Sequence, residues 1–285
     1  GQIGASVGLA LADHSGLIRR IGHDRDDSVA RYCIEQDVID DFVNNPADAV
    51  KDSDLVLFSL PIDQIKGGFS QVAGTLKDGA VVLDTSPVKQ AAASWAAEEL
   101  PEGVSHVGLI PVLNPAYLHE PDSGVSAARP DLFAGSAMVI VDHPGTSSTA
   151  VKKAADLTRL IGARPIFIPS HKLDRILAAT EIMPQLLAAA LLNATTSQPE
   201  WHEGRQIAGR VYEQLTSPIT QSADVLSISE AALLNRENIL RVIDGTIATL
   251  QAARSDIEAG DSDALIERLE RARHSRQNWW KQRQV

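Results

Sequence analysis

The sequence predicts an α/β protein: a doubly wound parallel (Rossmann) dinucleotide-binding domain over residues 1–170, followed by an all-helical domain over 171–285. Three observations predict it. Unbroken apolar runs alternate with helical stretches through the first domain, as strands buried on both faces do. The sequence opens on Gly1-Gln2-Ile3-Gly4-Ala5-Ser6, which reads as the back half of a glycine-rich phosphate loop. Beyond Ser170 no further strand run occurs, and spaced apolar residues with polar faces take over.

The elements follow in order. Residues 5–12 continue the loop as a helix with small residues first, so its leading amides can face a phosphate. A strand over 17–22 leads to a helix over 28–36. LVLFSL at 55–60 is closed by Pro61, and AVVL at 80–83 closes on Asp84. A strand over 104–109 follows a Pro-Glu-Gly turn. AMVIV at 137–141 and PIFI at 165–168 bracket a helix over 148–161. In the second half, 174–196 is alanine-rich and too apolar for solvent on any side, so subunit pairing is expected to bury it. Helices over 228–258 and 262–276 follow, separated by Gly260 with Asp261 or Ser262 as the next cap.

The loop identifies a cofactor site. Asp24 lies twenty residues past Gly4, at the end of the 17–22 strand, where a carboxylate binds the ribose hydroxyls of a dinucleotide. Asp24 repels a 2′-phosphate and favours NAD, whereas Arg25 would embrace that phosphate and admit NADP. Cofactor contacts are therefore expected at Gly1, Gln2, Ile3, Gly4, Asp24 and Arg25. Leu60, Pro61 and Ser86 join them from the loops at the next strand ends. Pro87 suits a first helical turn with Ser86 or Thr85 as its cap, and Lys89 is placed to reach a phosphate or a substrate carboxylate. On this reading the first glycine and a central strand precede residue 1, by roughly eight residues, and the sheet should show an unfilled slot.

Composition excludes several classes. A net charge of −11 argues against nucleic-acid binding. Residues 268–285 carry five Arg and one Lys against one Glu, read here as the solvated end of a surface helix. The single cysteine, Cys33, excludes an intrachain disulfide and a multi-cysteine zinc site, and fits a reducing cytoplasm. No apolar run approaches the ~18–20 residues of a membrane span, and no leader is visible. The eight histidines form no short metal-ligand pair, and no G-x-S-x-G elbow is present.

The order of motifs resembles the prephenate/arogenate dehydrogenase family, within the 6-phosphogluconate dehydrogenase-like superfamily. The resemblance is carried by GQIGAS, GHDRD, DLVLFSLPIDQI, LDTSPVK, LPEGVSHVG, HKLDRILAAT, MPQLLA, NRENIL and EAGDSDAL. It implies an NAD(P) domain, a helical dimerisation domain and a small-molecule carboxylate substrate. The implied reaction is oxidative decarboxylation of a cyclohexadienyl acid, a step of tyrosine biosynthesis. Departures from the family pattern gather on the substrate side. Ile110 stands where the resemblance expects the histidine that accepts the substrate's hydroxyl proton. Glu181-Ile182-Met183-Pro184-Gln185 stands for a Ser-His-x-Pro-His stretch. Arg205 and Arg210 are out of register with the expected substrate-binding arginines, and Pro87 replaces a serine. A rebuilt substrate site would draw on Asn114, Lys89, Glu181 and Gln185 for its polar groups. His106 is expected at the surface, far from the chemistry, and His119 is a further candidate. Two alternatives stand beside this reading: a reductase of small imines or oxo acids, and a dinucleotide-binding module with little catalysis.

Overall fold

The computed structural model describes residues 1–120, 123–221 and 224–283. Two compact units are present, residues 1–235 and 236–285. The first unit opens with α1 (Gln2–Ala10), β1 (Ile21–Gly22), α2 (Asp27–Glu35), β2 (Asp41–Phe42), α3 (Pro46–Val50), β3 (Leu55–Phe58) and α4 (Ile62–Val72). It continues through β4 (Val81–Asp84), α5 (Lys89–Glu99), β5 (Ser105–Pro111), β6 (Ala137–Val141), α6 (Ser148–Leu160) and β7 (Arg164–Phe167). The helices α7 (Ser170–Leu177), α8 (Met183–Thr196), α9 (Trp201–Ile207), α10 (Arg210–Thr216), α11 (Pro218–Gln221) and α12 (Val225–Leu234) complete it.

The main sheet runs β3-β4-β5-β6-β7, and β1-β2 forms a separate parallel pair. Among the described residues no strand joins the two sheets, so the sheet is interrupted between β1 and β3. Alternation along the central strands builds two faces. Val81, Leu83, Met138 and Ile140 pack with Val7 of α1, with Leu11 just past its end, and with the alanines of α6. Val82 and Phe58 pack with Ile65 and Phe69 of α4 and with Ala92 and Ala96 of α5. Val139 and Val141 meet Leu173 and Leu177 of α7.

Several expectations need correction. The sheet is not wholly parallel: β5 and β6 pair antiparallel, Leu109 opposite Ile140. A parallel return needs a crossover, usually a helix. The connection here holds only the 3₁₀ turns Pro115–Tyr117 and Val125–Ala127 among its described residues. The strand β2 escapes sequence patterning because it is two residues long and half polar. The expected 228–258 helix breaks at Asn235, whose backbone leaves helical geometry while its Nδ2 donates to Asp174 O at 2.7 Å. Neither Ser86 nor Thr85 caps α5, which starts later, after Val88. Its first amides, Lys89 N and Gln90 N, instead donate to the Asp174 carboxylate at 2.7 and 3.1 Å.

One apolar segment is also longer than expected. Ser170–Thr196 runs as a helical stretch long and apolar enough, by length and composition, to cross a membrane. Only part of it is buried within this chain. Leu173 and Leu177 pack on the sheet, and Glu181, Ile182 and Gln185 further along line an internal cavity.

The second unit consists of α13 (Arg236–Ala259) and α14 (Ser262–Arg283). Gly260, at φ 65°, makes the turn between them, as the sequence predicts. Arg268 bridges to Asp256 at 2.9 Å across the hairpin. The basic end of α14 is exposed, with Arg276 lying over the Trp279 ring at 4.7 Å.

Candidate active site

The start of α1 is uncapped and open, and the helix behind it packs closely. Its cap, Gly1, supplies no side-chain hydrogen bond, and the first turn holds no acid. The leading amides are therefore left for an anion. Gly4 and Gly8 let the helix sit tight on its neighbours. A Cβ at Gly4 would lie 3.2 Å from Ser59 Cβ, and one at Gly8 would lie 2.4 Å from the Val38 carbonyl oxygen. Gln2 Nε2 donates to Ala127 O at 3.0 Å, and Arg129 N donates to Ser6 Oγ at 3.0 Å, which straps the β5–β6 connection to the helix.

Asp24 follows β1 and is half-buried. Its Oδ1 accepts from Asp26 N at 3.0 Å, and Asp26 in turn caps α2. Arg25 beside it is exposed. Neither lines the main cavity, so this end of the site lies outside it.

That cavity, of about 350 Å³, opens where α1 meets the carboxyl ends of the strands. Gly1, Gln2 and Ile3 form one wall; Ser59, Leu60 and Pro61 follow β3, and Thr85 and Pro87 follow β4. Ile110 and Pro111 close it from β5. Leu177, Glu181, Ile182 and Gln185 come from the helical half, with Ser227, Ile228 and Ala231 from α12. Sequence reasoning missed α12. Nothing in its pattern marks a site, and its place rests on tertiary packing against α4, where Ile62 N donates to Ser227 Oγ at 3.3 Å.

Glu181 carries the only ionisable side chain among the described lining residues. It sits on a π turn, Ala178–Ile182, between α7 and α8. Pro184, in the first turn of α8, lacks the N–H that would continue the α-helical ladder, and a widened turn just before it absorbs the break. Glu181 is exposed by surface area, yet protein crowds its carboxyl, and that desolvation raises it above the ordinary glutamate range. Gln185 Nε2 donates to Glu181 O at 2.9 Å, tying the two polar residues of the turn.

The remaining candidates lie elsewhere. Asn114 spends its Oδ1 on Ala116 N, at 3.1 Å, capping a 3₁₀ turn outside the cavity. Lys89 is fully buried against Asp84 and faces no cavity. Ser86 is likewise buried and hydrogen-bonded to Asp84, while its neighbours Thr85 and Pro87 reach the lining. His106 is buried rather than superficial, because its Nε2 is drawn to Asp84 Oδ2 at 2.9 Å. His119 is exposed. Among the described residues no His/Cys/Asp/Glu group could hold a metal ion.

Comparison with known proteins agrees with this architecture. Residues 7–167 match the family model of the prephenate dehydrogenase nucleotide-binding domain, and residues 169–271 match that of the prephenate dehydrogenase dimerization domain. The chain belongs to the prephenate dehydrogenase family. It is therefore a dehydrogenase of this type. It is 24% identical over 278 residues to the prephenate dehydrogenase of Bacillus subtilis, covering 97% of this chain and 73% of that protein. It is 24% identical over 286 residues to the cyclohexadienyl dehydrogenase of Zymomonas mobilis, covering 97% and 92%. In fold it is similar to the prephenate dehydrogenase of Aquifex aeolicus in complex with hydroxyphenyl propionate and NAD⁺, with a TM-score of 0.83 at 20% identity over 97% and 94% of the two chains. The Synechocystis arogenate dehydrogenase follows, with a TM-score of 0.74 at 17% identity over 98% and 96%.

Proposed function

We propose that this dehydrogenase binds a nicotinamide dinucleotide, NAD in preference to NADP, and oxidatively decarboxylates a small cyclic carboxylate of the prephenate/arogenate type. In this reading Glu181 does the proton handling that Ile110 cannot. The observation that carries it is the cavity itself, which meets the α1 amides at one end and Glu181, its only ionisable lining side chain among the described residues, at the other.

The residues fit such a cofactor. The uncapped start of α1 receives a pyrophosphate, with open space around Gly1 and with Gly4 and Gly8 seating the helix on Ser59 and Val38. Asp24 accepts from ribose hydroxyls, with Arg25 as its counterweight toward NADP. When bound, the dinucleotide supplies the hydride acceptor. Leu60, Pro61, Ile110 and Pro111 form an apolar wall that excludes water around it. In the substrate, hydride leaves the carbon that bears the hydroxyl. The bond to the carboxylate breaks, its electron pair completes the aromatic ring, and CO₂ departs. Ionised Glu181 accepts the hydroxyl's hydrogen bond as charge develops there. Gln185, Thr85 and Ser227 offer further hydrogen bonds to polar groups of the substrate.

The reading keeps residues 1–170 as the cofactor domain and 171–285 as the helical domain, working as a homodimer in the cytoplasm. Exposed Ile207, Val211 and Leu215 on α9 and α10 are the apolar surface offered for pairing. The decisive experiment measures NAD⁺ and NADP⁺ reduction by the purified full-length protein with prephenate and with arogenate, beside cofactor binding by calorimetry. Turnover of one of them with NAD⁺ is expected. Cofactor binding with turnover of neither would overturn the substrate assignment in favour of an imine or oxo-acid reductase or a binding module.

A further inference from the structure

Lys89 does not face the cavity, yet it holds the loop that does. Asp84, the last residue of β4, and Lys89, the first of α5, are both fully buried. Lys89 Nζ donates to Asp84 Oδ1 at 2.8 Å and to Asp84 O at 2.9 Å. Ser86 N donates to the same Oδ1 at 2.9 Å, and the Ser86 hydroxyl donates there as well. The other carboxylate oxygen accepts from His106 Nε2 on β5 at 2.9 Å. Gly108 makes room for the lysine stem, since a Cβ there would lie 2.8 Å from Lys89 Cδ. Burial works against both charges. For Asp84 the Lys89 charge and the His106 hydrogen bond outweigh it, and the carboxyl falls well below its ordinary range. For Lys89 burial prevails over the attraction of Asp84, and its pKa is lowered.

A buried pair of this kind is costly to desolvate and is weak evidence for stability. Its placement points to another role. Within Asp84–Pro87 inward and cavity-facing residues alternate: Ser86 bonds to Asp84, while Thr85 and Pro87 line the cavity, and Val88 and Lys89 beyond them are buried, Lys89 on Asp84. The far end of the segment is fixed as well, because Asp174 on α7 receives Lys89 N and Gln90 N, and Asn235 holds the Asp174 carbonyl. The loop is thus clamped from the sheet on one side and from the helical half on the other.

We propose that Lys89 is a positioning residue for the nicotinamide half of the cofactor: through Asp84 it fixes the Thr85–Pro87 loop in the cavity wall without touching ligand itself. The proposal rests on the reading that the cavity takes a nicotinamide dinucleotide. Asp24, the proposed ribose site, does not line the cavity, whereas Gly1–Ile3 at the proposed pyrophosphate site share it with Thr85 and Pro87, so this loop borders the part of the cofactor beyond the pyrophosphate.

The test compares two ligands by calorimetry on the purified full-length protein: NAD⁺, and ADP-ribose, which lacks the nicotinamide. Lys89→Met is the first variant. It leaves Asp84 unpaired, so Asp84→Asn/Lys89→Met, which removes both charges, and Ser86→Ala, which keeps the ion pair, guard against simple misfolding. In folded variants the NAD⁺ Kd is expected to rise about tenfold or more while the ADP-ribose Kd stays within about twofold, because misplacing a positioned wall by an ångström is felt only by the group it positions. Equal losses for both ligands, or no change for either, would overturn the proposal while the cofactor reading survives. Wild-type protein that binds neither ligand overturns both.

Discussion

Ile110 at the end of β5 and Glu181 on the π turn line the same cavity. One is unable to carry a proton and the other has a carboxyl raised by burial. Glu181→Gln is expected to lower kcat by about 10²–10⁴-fold, the usual contribution of a positioned acid–base group, with KM for the dinucleotide little changed. The wild-type kcat should rise with pH through an inflection above the ordinary glutamate value of about 4.3, because the base must be ionised. A flat profile in the wild type, or an unimpaired variant, would remove Glu181 from the mechanism.

In the proposed reading Asp24 and Arg25 set the choice of cofactor. Asp24→Ala should weaken NAD⁺ binding by about 1 to 3 kcal/mol, the range for hydrogen bonds to a charged group, and narrow the gap to NADP⁺. Arg25→Ala should weaken NADP⁺ alone. Calorimetric titration with both cofactors checks the pair.

Gly8 is a packing requirement. With the Val38 carbonyl 2.4 Å from where a Cβ would stand, Gly8→Ala forces α1 away from its neighbour. A loss of about 1–3 kcal/mol is expected, as for other overpacked sites. Denaturant midpoints measure it, and dinucleotide affinity should fall with them, because α1 is the proposed phosphate site.

His143 stacks on His106 with ring centroids 5.5 Å apart. Burial, helped by the nearby His106, depresses its pKa from 6.5 to about 4. The unfolded chain therefore takes up a proton that the folded protein resists. The stability this provides is complete above pH 6.5 and is lost as pH falls from 6.5 toward about 4. His143→Phe keeps an aromatic ring in the stack and should flatten that part of the stability–pH curve, followed by denaturant midpoints across the window.

Val211 and Leu215 on α10 are 80% and 60% exposed. Val211→Asp/Leu215→Asp should shift the protein from dimer to monomer in sedimentation velocity at micromolar concentration. A double variant that sediments with the wild type would place the pairing surface elsewhere.

The strands of the main sheet were legible in the sequence because their signals are local, whereas two-residue β2 was not. Apolar runs, GQIGAS and a carboxylate at the end of the next strand depend on neighbours a few residues away. That Ile110 cannot carry a proton was legible for the same reason: a side chain without a titratable atom excludes that role wherever it folds. Lys89, Asn114 and His106 were not. Each has a chemistry that several environments can use, and the environment is set by partners distant in sequence. Lys89 is drawn inward because Gly108, on the next strand, leaves space for its stem beside Asp84. His106 is buried because Asp84 lies within reach on the adjacent strand. Asp174 caps a helix that starts 85 residues earlier, which no local capping rule anticipates. What the sequence by itself determined was the scaffold and the kind of cofactor it would take. Only the tertiary structure decided which polar groups face the cavity and which are spent holding it in shape, because hydrogen bonding and burial between distant segments settle where each side chain ends.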